Sequence, residues 1–224
     1  GNVDFVRGFA SSCNTYYINM GIKLGSKGIL SMAEKFGLGK PTGIYEQGID
    51  EAAGKLPSGL YNLSYGETAN ISIGQGDIMV TPLQIADIVA TVANGGIKNK
   101  INIVDSIVDN EGNKVRNCKI QEGKRIISKS TAETLKSLMT EVTYNGTGQS
   151  ARLSEYGGAA GKTGSAEGPY IDGYKVVHAW FAGYFPLAEP KYSIAVFVED
   201  GRYGGQTAAP IFEEIAEEIM KAGY

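Results

Sequence analysis

Apolar positions recur at helical spacing through the first two thirds of the chain and alternate at strand spacing in the last third. Residues 12–37 predict two short helices. The first starts at Asn14 or Thr15, Gly25-Ser26 interrupts, and Ser26 caps a second helix with Ile29, Leu30, Ala33 and Phe36 on one side before Gly37 stops it. Residues 38–70 carry Gly, Pro and Tyr without a sustained period and predict an irregular surface excursion. Thr81-Pro82-Leu83-Gln84 is a capping box with proline at the first helical position, so a helix should run to Ala93 and end at Asn94-Gly95-Gly96. Its Leu83, Ile85, Ala86, Ile88, Val89, Ala90 and Val92 leave almost no polar face, which predicts burial. Ile101–Val108 and Lys114–Val115 flank the polar turn 109–113 and predict a hairpin. Ser130-Thr131-Ala132-Glu133 reads as a second capping box, opening a helix with Leu135, Leu138, Met139 and Val142 inward and Asn145-Gly146 at its end.

From Val176 the pattern changes. Val176–Phe185 is rich in aromatic and β-branched residues, Tyr192, Ile194, Val196 and Val198 alternate with their neighbours, and Pro186–Lys191 makes a turn between the two segments. These predict adjacent antiparallel strands. Pro210 then opens a helix with Ile211, Phe212, Ile215, Ala216 and Ile219 toward a core and Glu213, Glu214, Glu217 and Glu218 toward water. The expected fold is α/β in the segregated, α+β sense: one antiparallel sheet packed with helices, in a single domain spanning 1–224.

Composition narrows the function classes. A hydrophobic content of 42% against 20% charged residues fits a folded domain, and a formal charge of −3 leaves no footprint for nucleic acid or an anionic membrane surface. No apolar run is long enough to span a bilayer, and the first residues do not resemble a signal peptide. Two cysteines, Cys13 and Cys118, and one histidine cannot build a usual four-ligand zinc site, so no metal or cofactor is expected. His178 is the only histidine base available, and it lies in an apolar run. It and Trp180 read as structural.

Gly161-Lys162-Thr163-Gly164-Ser165 precedes the terminal hairpin, where a strand can form an edge of the same sheet. Strand alternation would put Lys162 and Gly164 on one side and Thr163 and Ser165 on the other. At Gly164 a substrate could lie against the backbone. A cation with hydroxyls suits a carboxylate or a developing oxyanion. A phosphate loop is excluded, because position 156 is Tyr rather than the glycine that Walker A requires. Far upstream, Ser11-Ser12-Cys13-Asn14 at a helix start reads on its own as an N-cap.

Together, Ser12-x-Asn14 and Lys162-Thr163-Gly164 resemble two of the three motifs of penicillin-recognising serine enzymes. Phe36-Gly37-Leu38-Gly39 with Thr42-Gly43-Ile44, Ile73-Gly74-Gln75-Gly76 with Thr81-Pro82-Leu83-Gln84, Gly146-Thr147-Gly148, Lys162–Glu167 and His178-Ala179-Trp180-Phe181 extend that resemblance over most of the chain. In this order they look like the transpeptidase domain of penicillin-binding proteins, and Ile73–Gly76 leans toward elongation-type class B members. The resemblance implies a β-lactamase/transpeptidase-like fold and a peptidoglycan D,D-transpeptidase activity at the extracytoplasmic membrane face. Stem peptides and β-lactams would be its ligands and the cell-wall elongation machinery its partner. It further implies that Ser12 relays a proton, Lys162 sets the field around it, Asn14 bonds the substrate amide, and Thr163 and Ser165 hold the terminal carboxylate beside Gly164. The Ser165 N–H would be half of an oxyanion hole. The third motif, Ser-x-x-Lys with the nucleophile, is missing: no serine in the chain has lysine three positions on. The chain is therefore expected to be the C-terminal portion of such a domain, incomplete at its N-terminus and inactive alone. Alternatives are a D,D-carboxypeptidase or β-lactamase-like hydrolase, or a nucleophile-free binding module.

Overall fold

The computed structural model describes residues 2–44, 47–57, 62–117 and 123–223. Its centre is a three-stranded antiparallel sheet in the order β5 (Ala160–Ile171), β6 (Tyr174–Phe185), β7 (Tyr192–Val198). Lys162 pairs with Ala182, Gly164 with Trp180 and Ser165 with Ala179, and Phe181 pairs in turn with Val196. β6 and β7 follow from their many β-branched and aromatic residues. The strand expected around Lys162–Glu167 is thus an edge strand, and it runs longer, over Ala160–Ile171.

Each face of the sheet is covered. Odd-numbered Ala179, Phe181 and Phe185 of β6 pack with Val196 against Phe212 and Ala216 of the C-terminal helix α7 (Ala208–Ala222). Even-numbered Ala182 and Tyr184, with Ala160, pack against Val89 and Val92 of α5 (Pro82–Ala93) and Ala132 and Met139 of α6 (Lys129–Asn145). Period two in the strands and period 3.6 in the helices bring two separate apolar surfaces together on one sheet.

Helix α5 has the predicted ends: Thr81 and Gln84 complete their capping box and Pro82 is first. Its burial differs from expectation. The most enclosed positions include polar Gln84, Asp87 and Thr91, while Leu83, Ile85 and Ile88 are only half-buried. Gln84 explains part of this, since Nε2 donates to Lys40 O (2.9 Å) and Ala53 O (2.8 Å) and pins the 38–57 segment against the helix.

Several boundaries are corrected. The chain opens with an unpredicted helix, α1 (Phe5–Ala10), before the expected pair α2 (Asn14–Leu24) and α3 (Ser26–Phe36). Gly25, not Ser26, is the N-cap of α3 and provides no side-chain bond. Residues 65–71 form helix α4 (Tyr65–Ile71) inside the expected excursion, started by a reciprocal Ser64/Glu67 capping box. The cap of α6 is Ser128, whose Oγ accepts from Thr131 N at 3.0 Å, rather than Ser130. On α7, Ile211 and Ile215 are exposed and Glu213 is half-buried, its carboxylate accepting from Leu153 N (3.2 Å).

The small sheets are short. β1 (Ile97–Lys98) pairs with β4 (Lys124–Arg125), and the predicted hairpin is reduced to β2 (Ser106–Val108) and β3 (Lys114–Asn117). Asp109 Oδ1 holds its turn by accepting from Glu111 N (2.9 Å) and Asn113 N (2.8 Å). Residues 101–105 are not strand. Gln47 instead captures them, donating to Ile101 O (3.0 Å) and accepting from Ile103 N (2.8 Å).

Candidate active site

Ser12 reaches the sheet because of the way α1 ends. Asp4 caps the helix start, accepting from Arg7 N at 2.8 Å, and six residues later the chain reverses. Cys13 N donates to Gly8 O (2.9 Å) and Ser12 N to Phe9 O (3.1 Å), the paired bonds of a Schellman turn. Ser12 therefore occupies the left-handed position with φ of 54°, where glycine is usual. A side chain there costs about 1 kcal/mol. The reversal starts α2 at Asn14 and turns Ser12 toward β5.

Lys162 comes from the opposite direction. Its position on β5 puts it with Ala160 and Ala182 on the face covered by α5 and α6. Because β5 is an edge strand, a long side chain can bend round to the free edge. Lys162 Nζ donates to Ser12 Oγ and also to Thr163 O (3.1 Å), and it lies 5.8 Å from the centre of the Phe9 ring. No carboxylate forms an ion pair with it among the described residues. Burial without a counter-charge pushes its pKa down to about 8.

Thr163 faces the other way, as alternation requires, and its hydroxyl is 2.6 Å from that of Thr147. Thr147 follows α6, and its backbone N–H donates to Ala10 O at 3.0 Å. A Cβ on the neighbouring Gly146 would lie 2.3 Å from the same oxygen. One short turn thus fixes the end of α1 and the Thr163 hydroxyl together. Thr147 appears in the sequence only as part of Gly146-Thr147-Gly148; a polar residue between glycines just beyond a helix end is the signal that could have marked it as a connector.

The remaining candidates are less engaged. Ser165 is exposed, and its Oγ accepts from Gly204 N at a long 3.4 Å. At Gly164 a Cβ would meet Trp180 Cβ at 3.1 Å, so the missing side chain makes room for the strand's own neighbour. Asn14 is exposed at the first position of α2, and no hydrogen bond joins it to Lys162, Thr163 or Ser165 among the described residues. Trp180 and His178 both lie against Phe197, with ring centres at 4.6 and 5.2 Å. His178 Nδ1 also accepts from Asp200 N (3.4 Å). Cys13 is a free, half-buried thiol, and Cys118 lies outside the described residues. Tyr17 has the one buried side-chain oxygen without a partner among the described residues, and burial raises its pKa to about 12.

The cluster offers an amine that can exchange a proton near neutral pH, a hydroxyl held against it, and two further hydroxyls on an open strand edge. That set suits proton relay beside a bound carboxylate. The profile of the family described as "Penicillin binding protein transpeptidase domain" matches residues 1–217. The chain belongs to that family. Among its penicillin-binding-protein relatives, the peptidoglycan D,D-transpeptidase PbpA of Mycobacterium tuberculosis is 32% identical over 227 residues, covering 95% of this chain and 43% of the relative. The penicillin-binding protein PbpB of Mycolicibacterium smegmatis is 34% identical over 232 residues, covering 95% of this chain and 34% of its own length. The chain therefore spans less than half of the curated relatives it matches. Penicillin-binding protein A from M. tuberculosis, solved as a ceftriaxone acyl-enzyme complex, superimposes with a TM-score of 0.85 at 31% identity over 96% of this chain and 48% of that one. The transpeptidase-like fold and the segregated helix and sheet layers expected from sequence are thus those of this penicillin-binding-protein family.

Proposed function

We propose that the chain supplies the strand-edge half of a serine D,D-transpeptidase site that cross-links peptidoglycan stem peptides and is acylated by β-lactams. The observation that carries this reading is the Lys162–Ser12 hydrogen bond, formed between residues 150 positions apart. Ser12 relays a proton to the leaving amine, and Lys162, with its lowered pKa, returns it. Thr163 and Ser165 receive the terminal carboxylate, the Ser165 N–H supports the developing oxyanion, and Asn14 bonds the substrate amide. The relatives named D,D-transpeptidases and the acyl-enzyme structure support the reaction class.

The nucleophile in this reading comes from a Ser-x-x-Lys segment outside these 224 residues, since no serine here has that partner. The whole protein works at the extracytoplasmic face of the membrane, where peptidoglycan is the substrate, and with the elongation machinery, toward which the Ile73–Gly76 motif leans. No helix among the described residues is long and apolar enough to cross a membrane. The test is Ser12→Ala in the full-length protein, with acylation by a labelled penicillin followed by intact mass. The rate should fall by about 100-fold or more. A rate within twofold of wild type removes Ser12 from the mechanism.

A further inference from the structure

The outer edge of β5 carries more than the Lys162 cluster. In an antiparallel strand the N–H and C=O of one residue point the same way, and successive residues alternate. Ser165 O and Glu167 N are bonded from outside the sheet, so Thr163, Ser165 and Glu167 present their backbone groups to the free edge. An extended ligand laid along this edge would use Thr163 O, Ser165 N, Ser165 O and Glu167 N in turn.

Thr163 O already accepts from Lys162 Nζ, and the last two groups are bonded by one side chain. Gln75 Nε2 donates to Ser165 O at 3.0 Å, and Gln75 Oε1 accepts from Glu167 N at 3.2 Å. A primary carboxamide offers the same donor and acceptor as a strand residue, and here it fills the place of one. Gln47 makes the same two-bond capture of Ile101 O and Ile103 N, where no strand pairs.

Gln75 is held for this purpose by the loop that follows α4. Its own N–H donates to Asn70 O (3.0 Å), and it stands between Gly74 and Gly76, with φ of 74° and 87°. Those left-handed values suit glycine and turn the loop sharply. Asp77, two residues on, pairs with Lys55 at 2.6 Å.

We propose that Gln75 is a specificity-determining residue that caps the edge of β5 beyond the Ser165 N–H, so that a ligand amide must displace its carboxamide to pair with Ser165 O and Glu167 N. This rests on the acyl-transfer reading above. A carboxamide already ordered by its loop competes more strongly than water, because one held group satisfies Ser165 O and Glu167 N together. Removing it should therefore favour ligands that bring an amide to this edge over ligands that do not.

The full-length protein and its Gln75→Ala variant can be compared with benzylpenicillin, which carries an acylamino side chain, and 6-aminopenicillanic acid, the same nucleus with a bare amine. The ratio of second-order acylation rates, benzylpenicillin over 6-aminopenicillanic acid, should rise about fivefold in the variant, the scale of one or two hydrogen bonds no longer contested. Gln75→Met, which keeps the length but removes both hydrogen bonds, should do the same and serves if the alanine variant does not fold. An unchanged ratio with both compounds acylating normally, or a parallel fall for both, overturns the capping role and leaves the transpeptidase reading intact. Absence of an adduct with either compound in the wild-type protein overturns that reading instead.

Discussion

Ser12 has conflicting demands. As the left-handed residue of a Schellman turn it stands where glycine is favoured, yet its hydroxyl is the group bonded by Lys162. Ser12→Gly should therefore raise the unfolding free energy by about 0.5–1 kcal/mol while abolishing the hydroxyl's contribution to acylation. Urea unfolding of both forms checks the sign, and a loss of stability would mean that the Lys162 contact outweighs the backbone strain. Lys162 gives a second test. Its folded pKa of about 8 lies below the ordinary 10.5, so the unfolded chain binds more protons between these values. Stability should thus rise with pH from about 8 to about 10.5, and Lys162→Met should flatten that rise. Denaturant midpoints across this window measure it. Lys162 and Thr163 could be named as candidates from residue types alone, whereas Ser12 on its own read as a helix N-cap and needed the family resemblance. The Ser12–Lys162 contact needed the family pattern, because nothing local relates positions so far apart. The strained turn was invisible, since residues 5–10 carry one short apolar stretch with no capping box to announce a helix.

At the level of elements, capping chemistry was readable where it coincided with an apolar period and obscure where it did not. Thr81–Gln84 marked α5 correctly. Ser64-x-x-Glu67 is the same signal, but the seven residues of α4 lack an amphipathic stripe, so the helix disappeared into a polar stretch. At α6 two serines competed for the cap, and Ser128 won because the helix begins two residues earlier, at Lys129. Ser128→Ala should cost about 1 kcal/mol and Ser130→Ala much less, measured by chemical denaturation. Equal losses would return the cap to Ser130. The contact between α1 and α6 is tighter and had no sequence signal beyond a glycine. Gly146→Ala would push a methyl against Ala10 O, so it should destabilise by about 1–3 kcal/mol. It should also slow acylation by moving Ser12 away from β5. Wild-type stability in this variant would show that α1 yields freely and does not set the site.

For the molecule as a whole, the terminal hairpin was the most legible part because β6 is dense in aromatic and β-branched residues and β7 alternates, and the helices were placed by what each face of the sheet must bury. Ile211 and Ile215 broke that logic. A period of 3.6 identifies an apolar stripe, but it does not say how much of the stripe this sheet can cover, and the two residues remain exposed. The functional architecture follows the same division. In the proposed reading, proton relay, carboxylate binding and oxyanion support all fall to one edge strand and the two turns facing it, those after α1 and α6. In that reading the attack on the carbonyl needs one thing more, the family's hydroxyl with a lysine three residues on. Ser12 has an amine beside it, but the Schellman turn holds it on the relay side of Lys162, and no serine of the 224 has lysine at the required spacing. The isolated 224-residue chain should consequently form no covalent adduct with benzylpenicillin, even after prolonged incubation, while its folded state persists by circular dichroism. Intact-mass spectrometry decides the matter. A stoichiometric, hydrolysis-resistant adduct would locate a nucleophile within the chain, with Ser12 the first residue to map, and would overturn the division of labour proposed for this site.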